Sequence, residues 1–343
     1  MDHQERSLRL GAVLILCALL LRLCSTGFFR PVAEFFAKPD IAAFLVYLET
    51  GRKVRFSPST EPVAVFANES AVPDFARETA TTEPPEKVLP VFAPADTENL
   101  KFKNSSGLKF DATALISEPL QWNLTDGEPA VLILHTHATE SYTKDDGEDY
   151  KETSAFRTLD EHYNMVSVGE HLGSLLEEGG ITVLHDRQLH DYPSYNGSYS
   201  NARKALKRHL KENPSLLLVL DLHRDASGDD QNQMRTLATV EGEDAAQIMF
   251  VIGTGSAALK NPHWQQNLSL ALKLQVQMER LASGICRNVN LRAQRFNQDL
   301  TAGTLLVEVG AAGNTHSEAL AAVEVLAQAI LDLAKGAEIA EEE

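Results

Sequence analysis

The feature that most constrains this chain is an alternation of continuously apolar runs with segments of helical periodicity. AVLIL (130–134), ITVLHD (181–186), SLLLVLDLH (215–223), AQIMFVIG (246–253) and TLLVEVG (304–310) read as buried strands. Between them, Tyr163–Glu178 repeats Val166, Leu172, Leu175 and Leu176 at helical spacing and closes on Gly179-Gly180. A basic helix over 199–212 is stopped by Pro214, and 265–283 and 316–336 read as two further helices. A strand apolar along its whole length has no face to give to water, so such strands need cover on both sides. The pattern predicts an α/β fold over residues 101–336, a central, mostly parallel sheet of about six strands with helices on both faces.

Ahead of that body, Leu10–Phe29 is apolar except for Arg22. As a helix it spans about 30 Å, one hydrocarbon thickness, and Arg22 lies past its middle, where a long side chain snorkels to the interface. It predicts one transmembrane anchor following a short end (1–9), with a cleaved signal peptide as the rival, since Arg6 and Arg9 precede the run. Residues 30–55 carry Phe36, Ile41, Phe44, Leu45 and Leu48 at helical spacing, an amphipathic juxtamembrane segment. The stretch 56–100 is rich in proline, an extended linker, and 337–343 is a solvated acidic tail. With 31 Lys and Arg against 48 Asp and Glu, the net charge of −17 offers no cationic stripe for a phosphate backbone, so nucleic acid is excluded as a partner. Three cysteines, two of them (Cys17 and Cys24) in the apolar run, make no disulfide framework.

Three strands end in residues that chemistry can use. The first leads into HTHATE, with His135, His137 and Glu140; the second carries Asp221, His223, Arg224 and Asp225; the third holds Glu308 inside TLLVEVG. Ligands of open α/β sheets sit at the carboxyl ends of strands, so these groups converge if the strands are neighbours. Two histidines and a carboxylate leave a fourth zinc position for water, and a further carboxylate is then needed to move the proton. No serine stands in a G-x-S-x-G elbow and Cys286 has no activating neighbour beyond Arg287, so covalent catalysis is disfavoured. An HxH at a strand end also opens the metal site of amidohydrolase barrels, but a barrel needs about 250 residues and eight strands, more than is present. His171 and His209 read as surface residues, while His162, His185, His190, His263 and His316 stay open as site-lining candidates. HDYPSYNGS (190–198) reads either as a substrate-binding loop or as a well-capped turn.

Through HTHATESY, DLHRDA and LLVEVGAAGNT, and further through YLETGR (47–52), HDYPSYNGSYSNA (190–202), NPHWQQNLSLALKL (261–274) and RFNQDL (295–300), the chain resembles the stage II sporulation protein P family. The resemblance implies a zinc-dependent N-acetylmuramoyl-L-alanine amidase, single-pass in the cell membrane with its catalytic domain outside the cytoplasm. It implies hydrolysis of peptidoglycan during engulfment, with peptide cross-links as a second target, and the stage II sporulation proteins D and M as partners. The family pattern, laid on this chain, selects His137 rather than His135 as the first zinc ligand, His223 as the second, and Glu308, followed by Asn314, as the catalytic carboxylate. The chain departs from the wider amidase pattern at the carboxylate ligand: the position two before Asn164 holds His162, so Glu140 is taken as the third ligand, with His162 behind it. His135, His162, Arg224 and Asn314 remain as substrate-binding or supporting residues.

Two other functional classes compete with this hydrolase. One is a peptidoglycan-gripping recruiter that has lost its chemistry, which the set His137, His223 and Glu308 disfavours. The other is a zinc metallopeptidase acting on cross-links only, which uses the same groups on another amide.

Overall fold

In the computed structural model, the described residues are Phe92 and 94–335, apart from positions 121, 126, 230 and 231. The segments expected as an anchor (Leu10–Phe29) and a juxtamembrane helix (30–55), most of the expected linker and the acidic tail lie outside them. No described helix is long and apolar enough to cross a membrane.

Among the described residues, five helices and thirteen strands follow a 3-10 turn at Pro94–Asn99. The strands are β1 (Phe102–Asn104), β2 (Val131–Leu134), β3 (Glu152–Ser154), β4 (Arg157–Thr158), β5 (Val183–His185), β6 (Leu218–Asp225), β7 (Gly228–Asp229), β8 (Asn232–Gln233), β9 (Leu237–Val240), β10 (Glu243–Ala246), β11 (Ile248–Gly253), β12 (Val289–Arg292) and β13 (Thr304–Ala311). The helices are α1 (Ala112–Ser117), α2 (Met165–Glu178), α3 (Ser198–Glu212), α4 (Trp264–Leu281) and α5 (His316–Lys335). Among the described residues the main sheet has seven strands in the order β1-β12-β11-β13-β6-β2-β5. All neighbours are parallel except β11 and β13.

The sheet is covered as the apolar runs require. Along β2, Val131 and Ile133 pack into the core shared with α2, α4 and α5, while Leu132 and Leu134 pack on Ala202 and Leu206 of α3. Leu218, Leu220 and Leu222 of β6 alternate with Val219 in the same way. Each such side chain, once buried, contributes about 1.5–3 kcal/mol. Local chemistry sets the helix ends: Asn164 caps α2 by accepting from Val166 N at 2.9 Å. At the other end Gly180 has φ +88°, and Ile181 N and Gly180 N donate to Leu176 O and Glu177 O, closing a Schellman turn.

The sheet exceeds the sequence expectation by its far edge. β1 (FKN) is exposed at every residue and β12 is four residues ending in Arg292, so neither shows an apolar run. The packed body also starts before residue 101. Phe92 is buried, Arg280 lies over its ring at 5.6 Å, and Arg280 Nη2 donates to Asp96 at 2.6 Å, tying the end of the Pro-rich stretch to α4. His209, read as a surface residue, is instead half-buried, 3.0 Å from Asp186 Oδ2 at the end of α3.

Lys273 of α4 is 1 % exposed, and its Nζ donates to Leu115 O at 2.8 Å and to Ser269 Oγ at 2.6 Å. Burial pushes its pKa down from 10.5 to about 8, with Glu118 opposing. Between those values the unfolded chain holds the extra proton, so the stability lost to Lys273 returns as pH rises. The melting temperature of Lys273→Met should therefore fall relative to wild type from about pH 8 to about pH 10.5. A difference that stays constant over that range removes the buried ammonium from the stability of the core.

Candidate active site

The carboxyl ends of β2, β6 and β13 lie side by side, and the register decides what meets. Glu308 stands opposite His223, and Leu134, the last residue of β2, opposite Asp221. Asp221, His223 and Glu308 therefore share the sheet face on which α3 packs. The chain after β2 folds back over that end, bringing His137 and Glu140 to the same place. The His137 and His223 ring centroids are 5.3 Å apart at 83°, and His223 Nδ1 is 3.6 Å from Glu140 Oε2.

Buried charge organises this cluster. His223 Nε2 lies 3.1 Å from Asp221 Oδ1, outside hydrogen-bond alignment, and Asp221 accepts from Thr136 N at 2.7 Å and Thr136 Oγ1 at 2.6 Å. Burial opposes charge on His223, but Asp221 and Glu140 outweigh it and raise its pKa well above the ordinary imidazole value. Burial likewise pushes Glu140 up, yet Arg224 and then His223 hold it below the usual carboxylate range. Arg157 bridges two buried acids, donating from Nη2 to Glu140 Oε1 at 3.0 Å and from Nη1 to Asp191 Oδ2 at 2.7 Å. Arg224 adds its backbone N–H to Glu140 Oε2 at 3.3 Å and anchors its guanidinium on Ser141 O and Phe156 O.

His137 and Glu308 have the opposite character. Burial lowers His137 to about 4, leaving a neutral ring with an unpartnered Nδ1. Tyr195 stacks on that ring at 4.5 Å and 8°, and Tyr199 meets it edge-on at 5.6 Å. Glu308 is half-buried as a residue, but its Oε2 is out of solvent and has no partner. Burial pushes its pKa up to about 8; His223 pulls it down and Glu140 pushes it further up. Cys286 is buried, which pushes its thiol up and leaves it no nucleophile.

The sequence-predicted residues thus divide. His137, Glu140, His223, Arg224 and Glu308 come together. His135 points instead under α2, its Nε2 2.8 Å from His185 Nε2 and its Nδ1 3.3 Å from Leu222 O. Gly169 makes that possible, since a Cβ there would sit 2.6 Å from His135 and 2.7 Å from His185. His162 is exposed and held by Asp160 at 2.9 Å. Asn314 is fully buried, but its amide binds Ala311 N, Thr236 and Glu318, pinning the turn after β13. The sequence assigns no role to Asp221, Asp191, Arg157, Tyr195 or Tyr199, although Asp221 stands at one of the three strand ends and Asp191 and Tyr195 in the candidate substrate loop 190–198. An Asp inside SLLLVLDLH carries the same signal as Glu308; Tyr195 belongs to the hydroxyl-rich loop 190–198, and Tyr199 stands in the first turn of α3. Arg157, on a two-residue strand, has no local signature.

With His223 turned to Asp221 and Glu140 to its arginines, no set of three or more His, Cys, Asp or Glu among the described residues stands as a ready-made metal cluster. The donor chemistry nevertheless fits one divalent ion. Two buried imidazoles, His137 with its unpartnered Nδ1 and His223 with Nε2 3.1 Å from Asp221 Oδ1, lie beside the Glu140 carboxylate.

The chain matches the sequence profile of the family described as stage II sporulation protein P (SpoIIP) over residues 59–331. It is 27 % identical over 277 residues to the stage II sporulation protein P of Bacillus subtilis (strain 168), covering 76 % of this chain and 65 % of that protein. The chain thus spans less than two thirds of the length of that relative. Among solved structures, the CwlD amidase of Clostridioides difficile, in complex with the GerS lipoprotein, superposes with a TM-score of 0.37 at 14 % identity, over 60 % of this chain and 96 % of that one. The N-acetylmuramoyl-L-alanine amidase AmiC2 of Nostoc punctiforme gives 0.33 at 12 % identity, over 60 % and 95 %. Both superpositions are loose.

Removing the shared guanidinium leaves Glu140 and Asp191 buried without their cation. Arg157→Met should therefore lower stability by about 3 kcal/mol, read as a fall in melting temperature, while Arg157→Lys recovers part of the loss. An unchanged melting temperature in Arg157→Met removes this arginine from the support of Glu140.

Proposed function

The chain belongs to the stage II sporulation protein P family, and on that premise we propose that it is a peptidoglycan hydrolase of sporulation that cleaves the amide between the muramic acid lactyl group and L-alanine. The observation that carries this reading is the unpartnered, half-buried Glu308 beside His223, at a strand end where His137 and Glu140 also meet. His137, His223 and Glu140 are the residues that would hold zinc. When bound, zinc supplies Lewis acidity, polarising the amide carbonyl and easing the ionisation of water.

The protein's own groups account for the rest of the chemistry. Glu308, whose carboxyl is poised at about 8 by burial, is drawn toward the carboxylate by any cation in the site. As a carboxylate it takes one proton from the attacking water, whose oxygen bonds to the carbonyl carbon. The C–N bond then breaks, and Glu308 returns the proton to the departing alanine nitrogen. Arg157 and Arg224 keep Glu140 ionised and fixed, and Asp221 orients His223.

Three further parts of the reading rest on the resemblance and the sequence. They are an anchor through Leu10–Phe29 with the catalytic body outside the cytoplasm, assembly with the stage II sporulation proteins D and M, and secondary cutting of peptide cross-links. Deleting residues 1–30 should move the protein from the membrane to the soluble fraction while peptidoglycan cleavage in vitro persists; a truncated protein still sedimenting with membranes overturns the anchor.

The chemistry is tested by incubating the full-length chain with purified peptidoglycan and identifying released fragments by mass spectrometry. Stem peptides with a free L-alanine amine are expected. Cleaved cross-links alone indicate the metallopeptidase, and intact peptidoglycan indicates the recruiter. Glu308→Gln should lower kcat by a factor on the order of 10² or more while keeping its zinc. His223→Ala should lose both zinc and turnover. Near-normal turnover in Glu308→Gln removes Glu308 from the mechanism, and a full equivalent of zinc in His223→Ala removes His223 as a ligand.

A further inference from the structure

The sheet face that carries Glu308 is covered by α3 only over its β5–β2–β6 side. Beyond β13 the register continues across the open part. Met249 of β11 stands opposite Glu308, Val251 opposite Leu306 and Asn290, and Lys103 of β1 opposite Asn290. Residues opposite one another in paired strands share a face, so Glu308, Met249, Asn290 and Lys103 belong to one surface. A cleft of about 610 Å³ occupies this stretch, with Met249, Asn290, Arg292, Lys103, Asp225 and Arg287 in its lining. The cleft begins at Met249, opposite Glu308, and from Glu308 on β13 to β1 is three strand spacings, about 14 Å, the length of about four residues of extended peptide.

The charge of this cleft runs against that of the chain. The protein carries −17 overall, yet three cations face one acid here. Arg287 Nη1 is already neutralised by Asp225 Oδ2 at 2.9 Å. Arg292 and Lys103 have no carboxylate partner among the described residues. With its amide oxygen turned toward Arg292, Asn290 accepts from Nη2 at 3.1 Å and Nε at 3.2 Å, steadying the guanidinium at the cleft wall without neutralising it. An acidic protein that keeps two unpaired cations in a cleft next to Glu308 has a site suited to carboxylates.

We propose that this cleft binds the amine side of the scissile bond, as an extended acidic peptide of about four residues whose carboxylates pair with Arg292 and Lys103. The proposal rests on the reading of Glu308 as the centre of an amide hydrolase. It orients the substrate across the sheet. The acyl side of the amide is a neutral, hydroxyl-rich sugar that gains nothing from unpaired cations, whereas the peptide side carries free carboxyl groups. The peptide therefore runs from Glu308 across β11 and β12 toward β1.

The test titrates full-length protein with a labelled acidic tetrapeptide of the stem type and with its twin in which every carboxyl is amidated. Wild type should bind the acidic peptide about tenfold more tightly, with the preference shrinking as salt is added. Arg292→Gln combined with Lys103→Gln should abolish the preference and leave the melting temperature and the affinity for the amidated twin unchanged. Equal affinity of wild type for both peptides overturns the proposal, as does a double variant that keeps the preference, or a phosphate polymer that displaces the peptide at equal ionic strength. Peptidoglycan digestion run in parallel separates the two readings. A charge preference without any release of stem peptides upholds the cleft and sinks the hydrolase; release without a charge preference does the reverse.

Discussion

A protonated imidazole between two buried carboxylates is the interaction on which the rest of this site depends. His223 sits between Asp221 and Glu140, and neither acid tolerates burial alone. Asp221 is satisfied from the backbone and hydroxyl of Thr136, which fixes where the chain leaves β2. Glu140 is satisfied by Arg157 and Arg224, which fixes how the following loop returns over β6. The loop positions of His137, Tyr195 and Asp191 follow from those anchors.

The uneven cover of the sheet turns that charge cluster into a site that a polymer can reach. On one face α2, α4 and α5 form a continuous apolar core. On the other face α3 shields β5, β2 and β6, then stops, and a small cluster of Met249, Val251, Leu306 and Phe296 is all that follows. Glu308 stands on the boundary between the covered and open parts. Burial pushes its carboxyl up to about 8, yet the residue as a whole is only half-buried. The strands past the boundary carry Asn290, Arg292 and Lys103 where a covered sheet would carry valines, which is why they escape an apolar-run reading.

Sequence patterning resolved the central elements because burial on both faces leaves a one-dimensional trace. The runs at 130–134, 215–223 and 304–310 lie within a residue or a few of β2, β6 and β13, and Asn164, Gly179 and Gly180 bracket α2 through local hydrogen bonds. The edge strands β1 and β12 left no such trace, since a strand with an open face and three or four residues is indistinguishable from loop. The 3-10 turn at Pro94–Asn99 was hidden by proline content, although Phe92 and Asp96 pack on α4 across more than 180 residues of sequence.

The sequence by itself determined the layered α/β class, the strand ends that carry chemistry, and Glu308 as a carboxylate inside an apolar strand. These properties follow from a residue and its near neighbours, where period and hydrophobicity act directly. Only the tertiary structure decided which polar residues share a face. His135 follows Leu134 onto the opposite face, under α2, while His137, two residues on, lies in the loop that turns back over the sheet end to His223. It also decided that Arg157 and Asp191 support the site and that Asp221 holds Thr136, because contacts spanning 17, 34 and 85 residues are set by strand order and loop return, neither of which the sequence pattern encodes locally.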